Sequence, residues 1–249
     1  MDSRVKHGSH HSTSGSKNSD DGLNSHARQS YERGFRNGDP KCEHSPGFRR
    51  NNGIADSGTL PLGRIMTISP LAPIAFPDLP HVEGVEIAVA ESGMRYQGRT
   101  DLCLITMSEG TSVGGVFTKS LCPSAPVDWC KRIIDLGKAR ALLCNAGNAN
   151  AFTGQLGEMV TEASATCVAE ELNVAPQDVF LASTGVIGEP FEADEINRNI
   201  PDLFLNQQKS DSNEWEKAAN AIKTTDTFAK GSSCVIEGTD AVVVGIAKG

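Results

Sequence analysis

Apolar and polar residues alternate between positions 84 and 105, and a period of two is typical of strands with one buried face. Val85, Ile87 and Val89 share one face of the first predicted strand, and a second covers residues 102–105 after a turn at Gly98. Each of these strands has an apolar face to bury. The pattern therefore predicts a sheet with other elements packed against it.

Further strands are predicted where apolar residues run without a break. One run, Ala139–Cys144, leads into an Asn-rich loop, and a second, Val179–Thr184, leads into a Gly-rich turn. A short strand is predicted at Val116-Phe117. Near the end of the chain, residues 232–237 and 240–246 predict a hairpin.

Helical spacing of apolar residues is clearest over residues 158–173. Other helices are predicted at 127–136, at 213–222, and around 193–205, where Pro201 interrupts the pattern. Helices thus alternate with strands along the chain, which predicts an α/β fold with helices against a strand layer.

Two turns that follow predicted buried strands contain the groups best suited to bind a polar ligand. NAGNANAFTG, residues 145–154, is rich in amide groups and in residues that tolerate unusual backbone angles. STGVIGEP, residues 183–190, places small residues just past a strand end, where backbone N–H groups are unshielded. A Thr hydroxyl there adds a donor, so the second turn could hold a developing negative charge. From these residues alone, an ordinary strand-to-loop turn is the commoner explanation.

Composition separates residues 1–65 from the rest of the chain. This polar segment has ten Lys and Arg against seven Asp and Glu and almost no apolar clustering, which predicts a disordered extension. We take residues 66–249 as the folded part, with Met66 as the expected natural start. Thirteen basic and 24 acidic residues remain there, and this acidic balance disfavours nucleic acid or anionic membrane as a partner.

Several kinds of site are poorly supported. Only one of the six His, His81, lies in the folded part, so a His-dependent base is disfavoured. The seven Cys lack metal-ligand spacing, and neither a metal nor a bound cofactor is expected. His7, His10 and His11 are read as part of the disordered extension rather than as metal ligands.

Taken together, the two turns resemble the glutamate N-acetyltransferase (ornithine acetyltransferase) family of arginine biosynthesis. The resemblance runs from about His81 through GRTDLCLIT, GGVFT, NAGNANAFTG and STGVIGEP to TTDTFAKG and GIAKG. It implies stacked, mainly antiparallel sheets flanked by helices, as in self-cleaving enzymes with an N-terminal nucleophile. It also implies transfer of an acetyl group from N-acetylornithine to glutamate, and acetyl-CoA is a possible co-substrate.

The resemblance also implies roles for particular residues. Thr184, through its side chain, and Gly185, through its backbone N–H, match the oxyanion hole. Thr224 and Lys248 match substrate-binding positions. The nucleophile implied is a Thr freed by cleavage of an Ala-Thr bond roughly ten residues beyond Gly249. We therefore expect the chain to be the front, α-chain part of a precursor, to need a β chain in a hetero-oligomer, and to be inactive alone.

Two alternatives stay open: a hydrolase of the related self-cleaving aminopeptidases, and a non-catalytic assembly module that kept the fold. The motifs NAGNANAFTG and TTDTFAKG favour the transferase over the hydrolase. The sequence shows neither a secretory signal nor an apolar run long enough for a membrane span, so a cytoplasmic location is expected.

Overall fold

The computed structural model describes residues 68–248. The predicted extension at residues 1–65, including its three His, lies outside the described residues. The first four strands each coincide with an apolar stretch of the sequence, and a two-residue strand joins them in one five-stranded sheet. The strands are β1 (Val85–Ala90), β2 (Leu102–Met107), β3 (Ala141–Asn148), β4 (Val179–Val186) and β5 (Gln208–Lys209).

The sheet is mixed, with the strand order β4-β3-β2-β1-β5. β2 pairs antiparallel with β1 and with β3, and β5 pairs antiparallel with β1. β3 and β4 run parallel, because the long helix between them carries the chain back across the sheet. The expected mainly antiparallel pairing is thus found, but the strand pair that carries both candidate turns is the parallel one.

Helices cover both faces of this sheet. They are α1 (Ala125–Ile133), α2 (Gly154–Leu172), α3 (Asp194–Asn197), α4 (Ile200–Leu205) and α5 (Ser212–Ile222), with short 3₁₀ turns at Ile134–Leu136 and Pro176–Asp178. Among the helices described, none has both the length and the hydropathy that a membrane crossing requires.

The period-two pattern of the strands separates two hydrophobic clusters. Leu102 and Leu104 of β2 lie in one cluster with residues of α1, α2, α3 and α4. Cys103, between them, faces the other cluster, which contains Trp215 and Ala218 of α5. Adjacent β2 residues therefore pack on opposite faces, and the sheet forms the central layer.

A hairpin of β6 (Lys230–Val235) and β7 (Val242–Ala247) forms a second, two-stranded sheet. Val244 and Ile246 of β7 pack against the cluster that contains α5. The hairpin was predicted, with its strands shifted by one or two residues. The described part of the chain thus has one five-stranded and one two-stranded sheet, and α5 contacts both.

Two elements predicted from sequence are wrong, and the predicted interruption of the stretch 193–205 is confirmed with its break placed before Pro201. Residues 116–117 form no strand, and Val116 is almost fully exposed. α2 begins at Gly154, four residues before the predicted start. The stretch 193–205 is two short helices, and Pro201 lies in the first turn of the second, where its missing N–H costs no helical hydrogen bond.

α1 covers the outer edge of β4. The indole N–H of Trp129 donates to the carbonyl of Val179 at 2.9 Å. Cys130 Sγ lies 3.2 Å from the carbonyl oxygen of Leu181, and the Leu181 N–H donates back to that sulfur at 3.5 Å. These contacts protect the backbone of an edge strand that would otherwise be open to pairing with another chain.

We expect Trp129→Phe to lower the free energy of unfolding by about 2 kcal/mol, because the buried Val179 carbonyl loses its donor. Urea denaturation of the full chain measures this change. Lys131→Ala, on the same helix, is the control and should stay within about 0.5 kcal/mol of wild type. Equal stability of Trp129→Phe and wild type would show that the edge contact contributes nothing.

Candidate functional site

The parallel pairing of β3 and β4 brings the two candidate turns side by side. Asn145 pairs with Ser183, Ala146 with Thr184, and Gly147 with Gly185. The carboxyl ends of parallel strands meet at one edge of a sheet, so both motifs lie at that edge. The sequence predicted two separate polar turns, and the structure places them next to each other as one candidate site.

The ladder between the two strands is irregular at this point. The register shifts at Gly147 and Asn148, and Asn148 pairs with both Thr184 and Val186. Such a bulge leaves a residue outside the regular ladder and is common next to active sites. It lies directly opposite the residues to which the resemblance gives the oxyanion hole.

Two glycines allow the backbones to approach at the bulge. Gly185 has φ +137°, and a Cβ there would lie 2.2 Å from the carbonyl carbon of Gly147 and 2.6 Å from the Asn148 nitrogen. Gly147 has φ +118°, and a Cβ there would lie 2.9 Å from the Cβ of Arg95. Backbone atoms fill the space beside Gly185, so any side chain at position 185 must push the two strands apart.

Buried amides hold the Asn-rich loop against the turn. The Ser183 hydroxyl donates to Asn145 Oδ1, and Asn145 Nδ2 donates to the carbonyl of Asn148 at 2.9 Å. Asn148 in turn donates from Nδ2 to the carbonyl of Glu189 at 2.8 Å. Ser183 immediately precedes Thr184, so these bonds position the turn from both ends.

Asn150 fixes the second half of the loop. It is 2% exposed, and its φ of +46° is unusual for a residue with a side chain. Its Nδ2 donates to the Gly157 carbonyl at 2.9 Å and to Thr161 Oγ1 at 3.0 Å, and its Oδ1 accepts from Thr153 Oγ1 at 2.8 Å. All the partners are in the loop or in the first turns of α2, so Asn150 joins the loop to the start of that helix.

Asn150→Ala is expected to destabilise the chain by about 3 kcal/mol, since it removes three side-chain hydrogen bonds and keeps a left-handed backbone angle. Asn173→Ala is the matched control. Asn173 also has a positive φ, at the end of α2, but it is exposed, so its loss should cost only about 1 kcal/mol. Equal losses in urea denaturation would show that the side-chain bonds of Asn150 add nothing.

Thr184 is half-buried and Gly185 is exposed, so both can face a molecule outside the sheet. Glu189, the carboxylate of the STGVIGEP turn, forms an ion pair with Arg95, with 2.8 Å between Arg95 Nη1 and Glu189 Oε2. A hydroxyl and a backbone N–H on a bulged turn, beside a carboxylate that is already paired, suit the binding of an oxyanion.

Thr224 and Lys248 lie in a second group. Thr224 follows the end of α5, and Lys248 follows β7. Lys230, which pairs with Ala247 next to Lys248, also forms an ion pair with Asp226, so the Thr-rich loop and the end of β7 are neighbours.

An arginine connects the two groups. The Arg99 guanidinium donates to the carbonyl of Lys223 and lies 4.3 Å from the centre of the Tyr96 ring. Tyr96 is in turn the neighbour of Gly147, with its ring edge 3.3 Å from where a Cβ would stand. The described contacts thus link the Thr184 turn to Thr224 indirectly, through Tyr96 and Arg99.

Sequence reasoning did not single out Arg95, Tyr96 or Arg99. Arg99 lies inside the GRTDLCLIT motif, but nothing in its spacing showed that the side chain would reach the loop after α5. A long cationic side chain beside an aromatic residue was the available signal, because Arg stacks well on aromatic rings.

Other nucleophiles and bases are poorly placed. His81 is exposed and lies near the start of β1, with its Nδ1 3.2 Å from Ser210 Oγ. The candidate turns lie at the other end of the strands, because β2 runs antiparallel to both β1 and β3. Burial raises the pKa of Cys144 to about 12 and raises the pKa of the Cys103 thiol as well. These thiols therefore remain protonated near neutral pH and are weak nucleophiles.

Between residues 68 and 248, no three or more His, Cys, Asp or Glu side chains are grouped so that they could hold a metal ion. The site is instead composed of amides, hydroxyls, glycines and one arginine that stacks on an aromatic ring. Such groups bind and orient polar molecules through hydrogen bonds.

Known proteins are similar to this chain in sequence. The ArgJ family model matches residues 86–249. The arginine biosynthesis bifunctional protein ArgJ of Brucella suis is 47% identical over 185 residues, which are 74% of this chain and 44% of that protein. The ArgJ protein of Nitrobacter winogradskyi is 48% identical over 188 residues. The chain thus spans less than half the length of the curated relatives it matches.

Solved structures share the fold. Ornithine acetyltransferase of Mycobacterium tuberculosis, determined with ornithine, matches with a TM-score of 0.63 and 30% identity, over 67% of this chain and 89% of that chain. ArgJ of Bacillus halodurans matches with a TM-score of 0.62 and 29% identity. The resemblance stated from the sequence motifs is confirmed, and the chain belongs to the ArgJ family.

Proposed function

We propose that this chain forms the amino-terminal part of an acetyltransferase of arginine biosynthesis, which moves an acetyl group from N-acetylornithine to glutamate. The observation that carries the proposal is the bulged β3–β4 edge, where Thr184 and Gly185 lie against the buried Asn-rich loop. Membership of the ArgJ family and the likeness to an ornithine acetyltransferase support it.

The reaction divides into two acyl transfers. In the first, the hydroxyl oxygen of a threonine attacks the amide carbon of N-acetylornithine, the amide C–N bond breaks, and ornithine leaves with the hydroxyl proton. In the second, the amino group of glutamate attacks the acetyl-threonine ester, which releases N-acetylglutamate and restores the hydroxyl. The α-amino group of an N-terminal threonine can carry these protons, because its pKa lies near neutrality.

Thr184 and Gly185 stabilise the oxyanion in both steps. Each step passes through a tetrahedral intermediate whose oxygen carries negative charge, and donors that are already aimed at that oxygen lower the barrier. The hydroxyl of Thr184 and the N–H of Gly185 are the donors we assign. The Asn145–Ser183 hydrogen bond keeps them in place before substrate arrives.

Thr224 and Lys248 bind the amino-acid part of the substrates. Lys248 offers a compact cation for a carboxylate, and Thr224 offers a hydroxyl. Their neighbourhood near the end of β7, and the Tyr96–Arg99 link to the Thr184 turn, support a shared cleft. Arg99 is a positioning residue in this scheme, since it holds the loop that begins at Thr224.

A second polypeptide, the β chain, is proposed to supply the nucleophilic threonine and the rest of the sheets. The match covers 89% of the solved Mycobacterium tuberculosis chain but only 44% of the length of the Brucella suis protein. This difference in coverage supports a division of the enzyme into two chains. We propose α and β chains in a hetero-oligomer. Use of acetyl-CoA as a second acetyl donor and a cytoplasmic location stay predictions.

A joined protein tests the proposal. It consists of this 249-residue chain followed by the part of the Brucella suis relative that lies beyond its matched segment. With N-acetylornithine that carries a labelled acetyl group, the joined protein should produce labelled N-acetylglutamate when glutamate is present. Labelled acetate as the main product would favour the hydrolase alternative. A joined protein that folds and produces neither would contradict the proposal.

A further inference from the structure

A small cavity lies between α2 and the ends of β3 and β4. Its volume is about 10 Å³, which is the size that holds about one water molecule. Its apolar walls include Leu143, Val160 and Phe191. Five polar side chains also line it: Asn145, Asn150, Thr161, Ser164 and Ser183. A purely apolar cavity of this size would stay dry, but polar residues of α2 and of the strand ends are among those that line this one.

Ser164 lines this cavity and carries one of the buried polar atoms that have no hydrogen-bond partner among the described residues. Its side chain projects from the middle of α2, and the residue is 3% exposed. Its Oγ has no hydrogen-bond partner within the part of the chain that the structure describes. A buried hydroxyl without a partner is costly, so native structures nearly always provide one.

The groups across the cavity have spare hydrogen-bonding capacity. Asn145 Oδ1 accepts one bond, from the Ser183 hydroxyl, and a carbonyl oxygen has two lone pairs. The Ser183 hydroxyl donates its proton in that bond and keeps its acceptor positions. Thr161 donates to the Gly157 carbonyl and accepts from Asn150, which leaves one lone pair. A molecule that both accepts and donates would satisfy Ser164 and two of these groups together.

We propose that the cavity binds one water molecule, which accepts a hydrogen bond from Ser164 Oγ and donates to the Asn145–Ser183 pair. The water ties the middle of α2 to the residue that precedes Thr184. Ser164 is thereby a positioning residue for the oxyanion turn, although it touches no substrate. The catalytic part of this inference rests on the proposed function; the water site does not.

A crystal structure of the joined protein tests the water site directly. We expect a peak of solvent density within hydrogen-bond distance of Ser164 Oγ and of Asn145 Oδ1 or Ser183 Oγ. In Ser164→Ala the peak should weaken or vanish. A dry cavity, or a Ser164 hydroxyl that instead donates to a carbonyl of its own helix, would overturn the proposal.

Kinetics of the joined protein test the positioning role. Ser164→Ala should lower kcat about threefold to tenfold, the effect of losing one hydrogen bond of ordinary strength, and leave KM unchanged. Thr166→Ala, two residues along the same helix and partly exposed, is the control and should keep the wild-type kcat. An unchanged kcat in Ser164→Ala would refute the positioning role even if the water is seen. A wild-type joined protein without transfer activity would count against the proposed function alone, because the density still decides the water site.

Discussion

Gly185→Ala should abolish acetyl transfer by the joined protein and destabilise the chain by about 3 kcal/mol or more. The added Cβ would lie 2.2 Å from the Gly147 carbonyl carbon and 2.6 Å from the Asn148 nitrogen, and both of these are backbone atoms of the paired strand β3. A flexible side chain could rotate away, but strand backbones can only separate. The φ of +137° adds strain of its own, about 1 to 3 kcal/mol.

Gly188→Ala is the matched control for this experiment. Gly188 lies in the same turn and also has a positive φ, of +83°, but no atom lies within 4 Å of where its Cβ would stand. It should therefore lose only about 1 kcal/mol in urea denaturation and keep most of the transfer rate. If Gly185→Ala were as stable and as active as Gly188→Ala, the close approach of β3 and β4 would be wrong.

Thr184→Val is expected to lower kcat by about a hundredfold or more while leaving the fold intact. Valine keeps the shape of threonine and removes the hydroxyl that we assign to the oxyanion, and the loss of one such donor costs about 3 kcal/mol of barrier. The residue is only half-buried, so the free energy of unfolding should change by less than about 1 kcal/mol. The measurement is kcat and KM for acetyl transfer, together with urea denaturation.

Thr184→Ser separates the hydroxyl from the methyl group. Serine keeps the donor, so its kcat should stay within about tenfold of wild type. A Thr184→Val protein with the wild-type kcat would show that another group stabilises the oxyanion. A Thr184→Ser protein that is as slow as Thr184→Val would indicate that the methyl contact, not the hydroxyl, matters at this position.

The sequence predicted the elements of the main sheet well where burial is simple. Residues 85–89, 102–105 and 179–184 carry apolar faces or runs, and each became a strand of the sheet. The same reasoning failed at Val116-Phe117, because two apolar residues after glycines say nothing about whether a neighbouring strand is available. In the structure Val116 is exposed and only Phe117 packs against the core.

The start of α2 could not be predicted from apolar spacing. A glycine is an unfavourable first residue for a helix in intrinsic propensity, so residues 154–157 looked like loop. The helix begins there because Asn150 holds Gly157 and Thr161 through hydrogen bonds that join the loop to the helix. These hydrogen bonds are tertiary contacts, and the local spacing of apolar residues does not reveal them.

The sequence predicted part of the candidate site. The motifs identified both turns and the four residues Thr184, Gly185, Thr224 and Lys248, whose roles stay proposals. The sequence did not show that Gly185 must lie against Gly147, since that requires knowing that β3 and β4 are parallel neighbours in this register. The stacking of Arg99 on Tyr96 was equally hidden, because that pair acts on a loop 124 residues away.

The intact mass of the joined protein, after mixing with N-acetylornithine in the absence of glutamate, tests the central claim most directly. We predict two chains, with the mass of one acetyl group added to the carboxy-terminal chain, and loss of that mass when glutamate is added. In Thr184→Val the acetylated form should accumulate at least about a hundredfold more slowly. A joined protein that never carries an acetyl group, or one that is acetylated equally fast without the Thr184 hydroxyl, would contradict the account.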